Sequence, residues 1–163
     1  MAKKQESGKT VTLVERLAAP IAEQMGLEIW DITFEKEGVD WILRICIEGE
    51  DGLDLEQAER FSRAIDPKLD EADPIDQSYS LEVCSPGLNR ALTRDWHFER
   101  YLDEPVLLRT IRPLEGQPSR DLSGILRRYA DKTVEIELEN EQVVSLALAD
   151  LAFIKLDDYD DAF

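Results

Sequence analysis

Histidine, cysteine and methionine are nearly missing from this 163-residue chain, with one, two and two copies. The lone histidine, His97, lies between Trp96 and Phe98 on a short amphipathic segment, and reads as a packed or surface imidazole rather than a catalytic base. Cys46 and Cys84 lie far apart with no metal or redox spacing. Both fall in strand-like segments, where a reduced thiol acts as a small apolar group. The acidic run Asp70, Glu71, Asp73 and Asp76 lacks the glycine and spacing of a calcium loop, so it reads as a solvated loop. Cys84-Ser85-Pro86-Gly87 lacks the Gly-x-Ser-x-Gly pattern of a nucleophile elbow, and no second histidine is there to act as base. No catalytic residue, cofactor or metal ligand is therefore expected. No apolar run has the length of a membrane span, and residues 1 to 9 have no apolar stretch after their lysines. The expectation is a cytoplasmic chain with no secretory signal and no membrane partner.

Acids are plentiful. The formal net charge is −17, which opposes free-standing nucleic-acid binding through long-range repulsion of phosphates. The distribution is uneven. Residues 85 to 130 hold eight arginines (Arg90, Arg94, Arg100, Arg109, Arg112, Arg120, Arg127 and Arg128) against six acids, a net +2 that leaves −19 for the remainder. The bulk of the surface suits a basic protein partner, and any RNA contact would be local. The arginines themselves have two uses, phosphate contact or pairing with the chain's own carboxylates, and both stay open.

Residues 79 to 92 organise the chain. Tyr79, Leu81 and Val83 alternate with Ser80, Glu82 and Cys84 in the period of a strand with one buried side. Ser85-Pro86-Gly87 then stops it in a sharp turn. Leu88 and Leu92 bracket Asn89 and Arg90 on a bend held by apolar neighbours.

Upstream, residues 1 to 9 read as a frayed polar start. A helix follows from Thr10, with Val14, Leu17, Ala18, Ile21 and Met25 on one face and Gly26 past its end. Pro20 predicts a kink or a broken last turn. Residues 27 to 35 and 41 to 48 predict an antiparallel hairpin. Gly49-Glu50-Asp51-Gly52 matches a Gly-x-x-Gly clamp by letter, but its acidic centre favours a tight turn. Asp54 and Gln57 have capping-box spacing for a second helix, with Leu55, Ala58, Phe61 and Ile65 as its apolar stripe and Pro67 ending or bending it. The third strand, from Tyr79, is placed beside the first. Thr93 can cap a short helix running to Leu102. Beyond it come strands only: 106 to 112, 122 to 129, 133 to 139 and 142 to 148, with turns at Asp131-Lys132 and Asn140-Glu141. A fifth strand holds Phe153, Ile154 and Leu156 after one turn at 149 to 151. Five short strands in so few residues predict a small barrel. The expected division is an α+β domain (α-β-β-α-β) over 9–92, a linker with a short helix over 93–104, an all-β barrel over 105–157 and an acidic tail over 158–163.

The run Leu81-Glu82-Val83-x-Ser85-Pro86-Gly87-Leu88-x-Arg90-x-Leu92 resembles the hallmark of the RimP family of bacterial ribosome maturation factors. The likeness extends to the opening helix with Pro20, the Trp41 strand and the Phe98-x-x-Tyr101 segment. Cys84, Asn89 and Ala91 stand where serine, aspartate and proline are usual. The resemblance implies a KH-like N-terminal domain, an SH3-like or Sm-like C-terminal barrel and a non-enzymatic role in maturing the small ribosomal subunit. It leads us to expect a monomer that binds the immature particle through a basic small-subunit ribosomal protein. Local rRNA contact would come from Ser85, Pro86, Gly87, Asn89, Arg90, Arg94, Arg127, Arg128 and Lys132. The competing expectation is an acidic protein-binding adaptor with no RNA contact. A small hydrolase acting through Cys84 or Ser85 is the remote third.

Overall fold

The computed structural model describes residues 2–158, with side chains from Gly8 onward. The chain divides into two compact units, 1–86 and 87–163.

The first unit opens with α1 (Ala2–Gln24). The polar start is thus helical from Ala2 instead of frayed, because Lys3, Lys4, Gln5 and Glu6 are all strong helix formers. Val14, Ala18 and Ile21 are buried along its inner face, as the spacing predicts. Pro20 does not break the last turn: the helix runs on to Gln24. A Schellman motif closes that end, in which the Gly26 N–H donates to Glu23 O (3.1 Å) and the Leu27 N–H to Ala22 O (2.8 Å). Gly26 takes the left-handed conformation that this motif requires, φ +68°.

β1 (Glu28–Glu37) and β2 (Asp40–Glu48) form the expected antiparallel hairpin. Gly38 at φ +65° leads a two-residue turn. Gly49 and Gly52 then exchange backbone hydrogen bonds of 2.8 and 3.0 Å, the tight-turn reading of that segment. α2 (Leu55–Ala72) starts at a complete capping box: the Gln57 N–H donates to Asp54 Oδ1 (2.7 Å) and the Asp54 N–H to Gln57 Oε1 (3.1 Å). Its buried stripe is Phe61, Ile65 and Leu69, while Leu55, expected inside, is 77% exposed in the first turn. The helix also passes through Pro67, held at its far end by buried Leu69 and by the Asp73 N–H donating to Leu69 O.

β3 (Tyr79–Cys84) lies beside β2 and parallel to it, giving the order β1-β2-β3. The expected place beside β1 is wrong, and charge explains why. On the face away from the helices, β1 presents Asp31, Glu35 and Glu37, whereas β2 presents Arg44 opposite Glu82. Arg44 bonds both Glu37 (3.2 Å) and Glu82 (2.9 Å), so the third strand settles where its carboxylate meets a cation. The other face carries Ile32, Phe34, Leu43, Ile45 and Ile47, which pack with α1 and α2 into a continuous apolar core.

In the second unit, α3 (Asp95–Arg100) precedes β4 (Pro105–Thr110), β5 (Asp121–Ala130), β6 (Thr133–Leu138), β7 (Val143–Ala147) and β8 (Leu151–Leu156). A short 3-10 turn, Leu148–Asp150, separates the last two strands. Asp131 and Lys132 both have positive φ, which makes the β5–β6 connection a type I′ turn. The segment expected as a linker hydrogen-bonds to β5: the Asp103 N–H donates to Leu126 O (2.6 Å) and the Leu126 N–H to Glu104 O (3.1 Å). Of the expected acidic tail, 159–163 lies outside the described residues.

The expected barrel is not closed. The sheet has the order β7-β6-β5-β4-β8 with two ends. Closure would need β7 to pair with β8, but the outer edge of β8 is already taken. The Leu92 N–H donates to Ile154 O (2.9 Å), the Leu156 N–H donates to Arg90 O (3.0 Å), and Ala91 bridges Lys155. The sheet still buries one face (Val106, Leu108, Leu126, Val134, Ile136, Leu146, Ile154 and Leu156) with only the short α3 beside it, which requires it to curl. Two irregularities, between Arg109 and Thr110 and between Leu126 and Arg128, supply the bending.

Candidate functional site

Each expected contact residue has a definite setting. Ser85 is exposed and Pro86 half-buried where the first unit ends; Gly87, at φ +67°, begins the second. Asn89 also has positive φ, +51°, a conformation that asparagine tolerates better than most residues. Its backbone N–H donates to Asp158 Oδ1 (2.6 Å). With the amide turned so that Nδ2 faces acceptors, the side chain donates to Leu156 O (3.0 Å) and Asp158 Oδ1 (3.2 Å). Arg90 reaches back through Nε to Gly87 O (3.1 Å). The bend from Gly87 to Leu92 is therefore built by polar ties to itself and to β8. Of its two leucines, Leu92 is buried and anchors it, whereas Leu88 is 56% exposed and does not.

Arg94 is the N-cap residue of α3, and its neighbours reveal the task of the single histidine. His97 is wholly buried, and its Nδ1 accepts from the backbone N–H groups of Thr93 (2.9 Å) and Arg94 (3.1 Å). The N-cap is thus Arg94 and not the expected Thr93, and the imidazole, three residues on, accepts from its backbone N–H as the N3 member of a capping box does. Phe98, also buried, stacks on Tyr129 with ring centroids 4.4 Å apart. Asp95 accepts from both the Tyr129 hydroxyl and Lys132 Nζ, the latter at 2.9 Å. These bonds hold the Asp95 carboxyl below its ordinary range, with the Tyr129 contact contributing most. Burial first, and then Asp95, push the Tyr129 phenol up to about 12. Lys132 is thereby brought within one residue of Arg94, but as an ion-pair partner.

Arg127 is also engaged. Its guanidinium donates to Glu137 Oε2 through Nη2 (2.7 Å) and Nε (3.1 Å), and to Asp103 Oδ1 through Nη1 (2.9 Å). Arg109 pairs with Asp121 at 2.6 Å and lies over the Phe153 ring. Arg128 differs: it is exposed and makes no ion pair among the described residues.

The sequence reading missed a second cationic surface, on the first unit. Arg60, Arg63 and Lys68 of α2 border a groove with Ile21 and Gln24 of α1 and Met25 just past its end. Arg63 makes one long contact to Glu59 (4.0 Å), and Arg60 and Lys68 make no ion pair among the described residues. Plotting α2 on a helical wheel would have found it, since these positions follow the helical repeat beside the buried Phe61-Ile65-Leu69 stripe. No group of three or more histidine, cysteine or acidic side chains among the described residues is placed to hold a metal ion.

A comparison with known families decides the relationship. Residues 17–89 match the RimP N-terminal domain. This match supports the RimP family for the first unit. The match runs from the middle of α1 to the bend, so it takes in the whole β1-β2-α2-β3 arrangement and the Ser85-Pro86-Gly87 turn. The matched family is one of ribosome maturation factors. No described helix is long and apolar enough to cross a membrane.

Proposed function

We propose that this chain is a non-enzymatic assembly factor for the small ribosomal subunit, acting in the cytoplasm as a monomer that binds the immature particle. The RimP N-terminal domain carries this reading. KH-like kinship of the first unit, and SH3-like or Sm-like kinship of the curled sheet, belong to the same proposal. A net charge of −17 suits a basic small-subunit ribosomal protein as the main partner, with rRNA touched locally. For that local contact, Arg128 and the α2 cations suit phosphate best, because Arg127 and Lys132 would first have to leave carboxylates. The bend residues Ser85, Pro86, Gly87, Asn89 and Arg90 serve mainly to shape the chain, with Arg94 at the head of α3.

The pairing of Arg127 and Lys132 favours a second reading, an acidic adaptor that binds protein alone. Crosslinking to immature small subunits, with protein and RNA crosslinks mapped, separates the two. The assembly-factor reading expects crosslinks to a basic ribosomal protein and to rRNA near Arg128 or the α2 groove. It further expects Arg60, Arg63 and Lys68 changed together to alanine to lower the slope of log affinity against log salt by about two. Protein crosslinks alone support the adaptor. Recovery of no immature small subunit overturns both.

A further inference from the structure

The two cysteines, without motif spacing in the sequence, are neighbours in the fold. β2 and β3 run parallel with Cys46 paired to Cys84, so both side chains leave the same face of the sheet. That face is the one without helices. The two sulfurs are 2.8 Å apart, both residues are free thiols, and both are half-buried, within reach of small solutes. Adjacent strands lie about 4.8 Å apart, inside the Cα separation of roughly 4.4–6.8 Å that a disulfide bridges. The thiols thus stand where an S–S bond can form without moving either strand.

From this geometry we infer that Cys46 and Cys84 form an oxidation site, at which a hydroperoxide converts the dithiol to an intramolecular disulfide. Cys84 is the attacking sulfur. The Cys46 thiol donates its hydrogen bond to Cys84, and with the positive charge of Arg44 this lowers the Cys84 thiol to about 7. Burial and Glu82 act in the opposite direction on Cys84. Cys46 is held protonated by the same hydrogen bond, by burial and by the Cys84 and Asp31 charges, with Arg44 opposing. Arg44 is shared between Glu37 and Glu82, whose charges offset its own, so the hydrogen bond from Cys46 is the larger cause. A substantial thiolate fraction at neutral pH beside a protonated partner is the arrangement of an attacking and a resolving cysteine.

The steps balance. The Cys84 thiolate attacks the terminal oxygen of the hydroperoxide, the O–O bond breaks, and the departing alkoxide takes a proton and leaves as the alcohol. Cys84 is then a sulfenic acid. The Cys46 sulfur attacks the Cys84 sulfur and gives up its proton, and the hydroxyl of the sulfenic acid leaves as water. Two thiols lose two electrons and the peroxide gains them. A dithiol reductant reverses the change by exchange. The bond would join the end of β3, one residue before Ser85-Pro86-Gly87, to β2, and so fix the approach to the bend.

The test uses the full chain, with hydrogen peroxide as the oxidant. Expected results are loss of both titratable thiols, an intact mass lower by two hydrogens, a peptide map joining Cys46 to Cys84, and recovery with dithiothreitol. Alkylation of the untreated chain should give a Cys84 rate profile with its midpoint near 7, moving toward about 8.5 in Cys46→Ala. Cys84→Ser should slow thiol loss at least tenfold. Oxidation of each cysteine to separate sulfinic acids, crosslinks only between chains, or thiols that stay alkylatable after peroxide would overturn the inference. The wild-type mass and peptide map decide the matter even if a variant folds poorly.

Discussion

The two units bury their apolar surface by different means. In the first, α1 and α2 cover one face of a three-stranded sheet, and the core is a helix-on-sheet layer with Phe61 at its centre. In the second, a five-stranded sheet curls over its own inner face with only Leu92 and α3 to help. A layered core depends on side-chain volume. A curled sheet depends also on close backbone approach and on polar ties that hold the curvature. The charges divide differently too: the first unit has nine basic against twenty acidic residues, net −11, and the second ten against sixteen, net −6. Yet three cations of the less acidic unit, Arg109, Arg127 and Lys132, are bound to its own carboxylates.

The sharpest way to probe this contrast is Phe61→Ala, which removes a fully buried ring from the layered core. It should cost about 3–5 kcal/mol, read as a lower urea midpoint with amide protection lost first in residues of the first unit. An equal loss of protection in β4 to β8 would mean that the units do not respond separately.

Gly124→Ala tests the curled sheet. An added Cβ would lie 2.4 Å from Glu137 O and 2.7 Å from Ile136 Cγ2, where β5 and β6 are paired. A cost of about 1–3 kcal/mol is expected in the same titration. A neutral result would show that the sheet does not need this approach.

Asn89→Asp places a carboxylate where a donor amide meets Asp158 and the Leu156 carbonyl. The loss should be about 1–3 kcal/mol, partly recovered by adding Asp158→Asn. Failure of that recovery would remove Asp158 as the cause.

The smallest effect is a pH dependence. Tyr129 has its folded value raised above the ordinary phenol, so its contribution to stability is complete below about 10 and is lost as pH rises to about 12. Tyr129→Phe should flatten the unfolding midpoint between these limits while leaving the first unit unaffected.

Local pattern disclosed much of this molecule. The hairpin, the Asp54 cap, the Schellman glycine, the two turns of the β-rich unit and all five of its strands follow from residues close in sequence, where periodicity and capping chemistry act. Pairings between distant residues were harder to read. The place of β3 depended on Arg44 meeting Glu82, and sheet closure depended on whether residues 90–92 reached β8 first. The candidate contacts were hardest, because a run of arginines looks the same in sequence whether it faces phosphate or carboxylate. Arg127 sits at an irregularity in β5 that turns it toward Asp103 and Glu137, and no spacing rule announces that. The cysteine pair was missed for a like reason, since neighbours across a parallel ladder can be any distance apart along the chain.

The short segment laid along β8 also acts as a shield. A strand border with unpaired amides and carbonyls is a template for another chain, and residues 90–92 leave the five-residue β7 as the sheet's only other border. Cutting the backbone near Leu88 and letting that segment peel away would bare a second template and favour sheet-to-sheet clumping. Keeping the bend folded thus also protects the chain from its own copies.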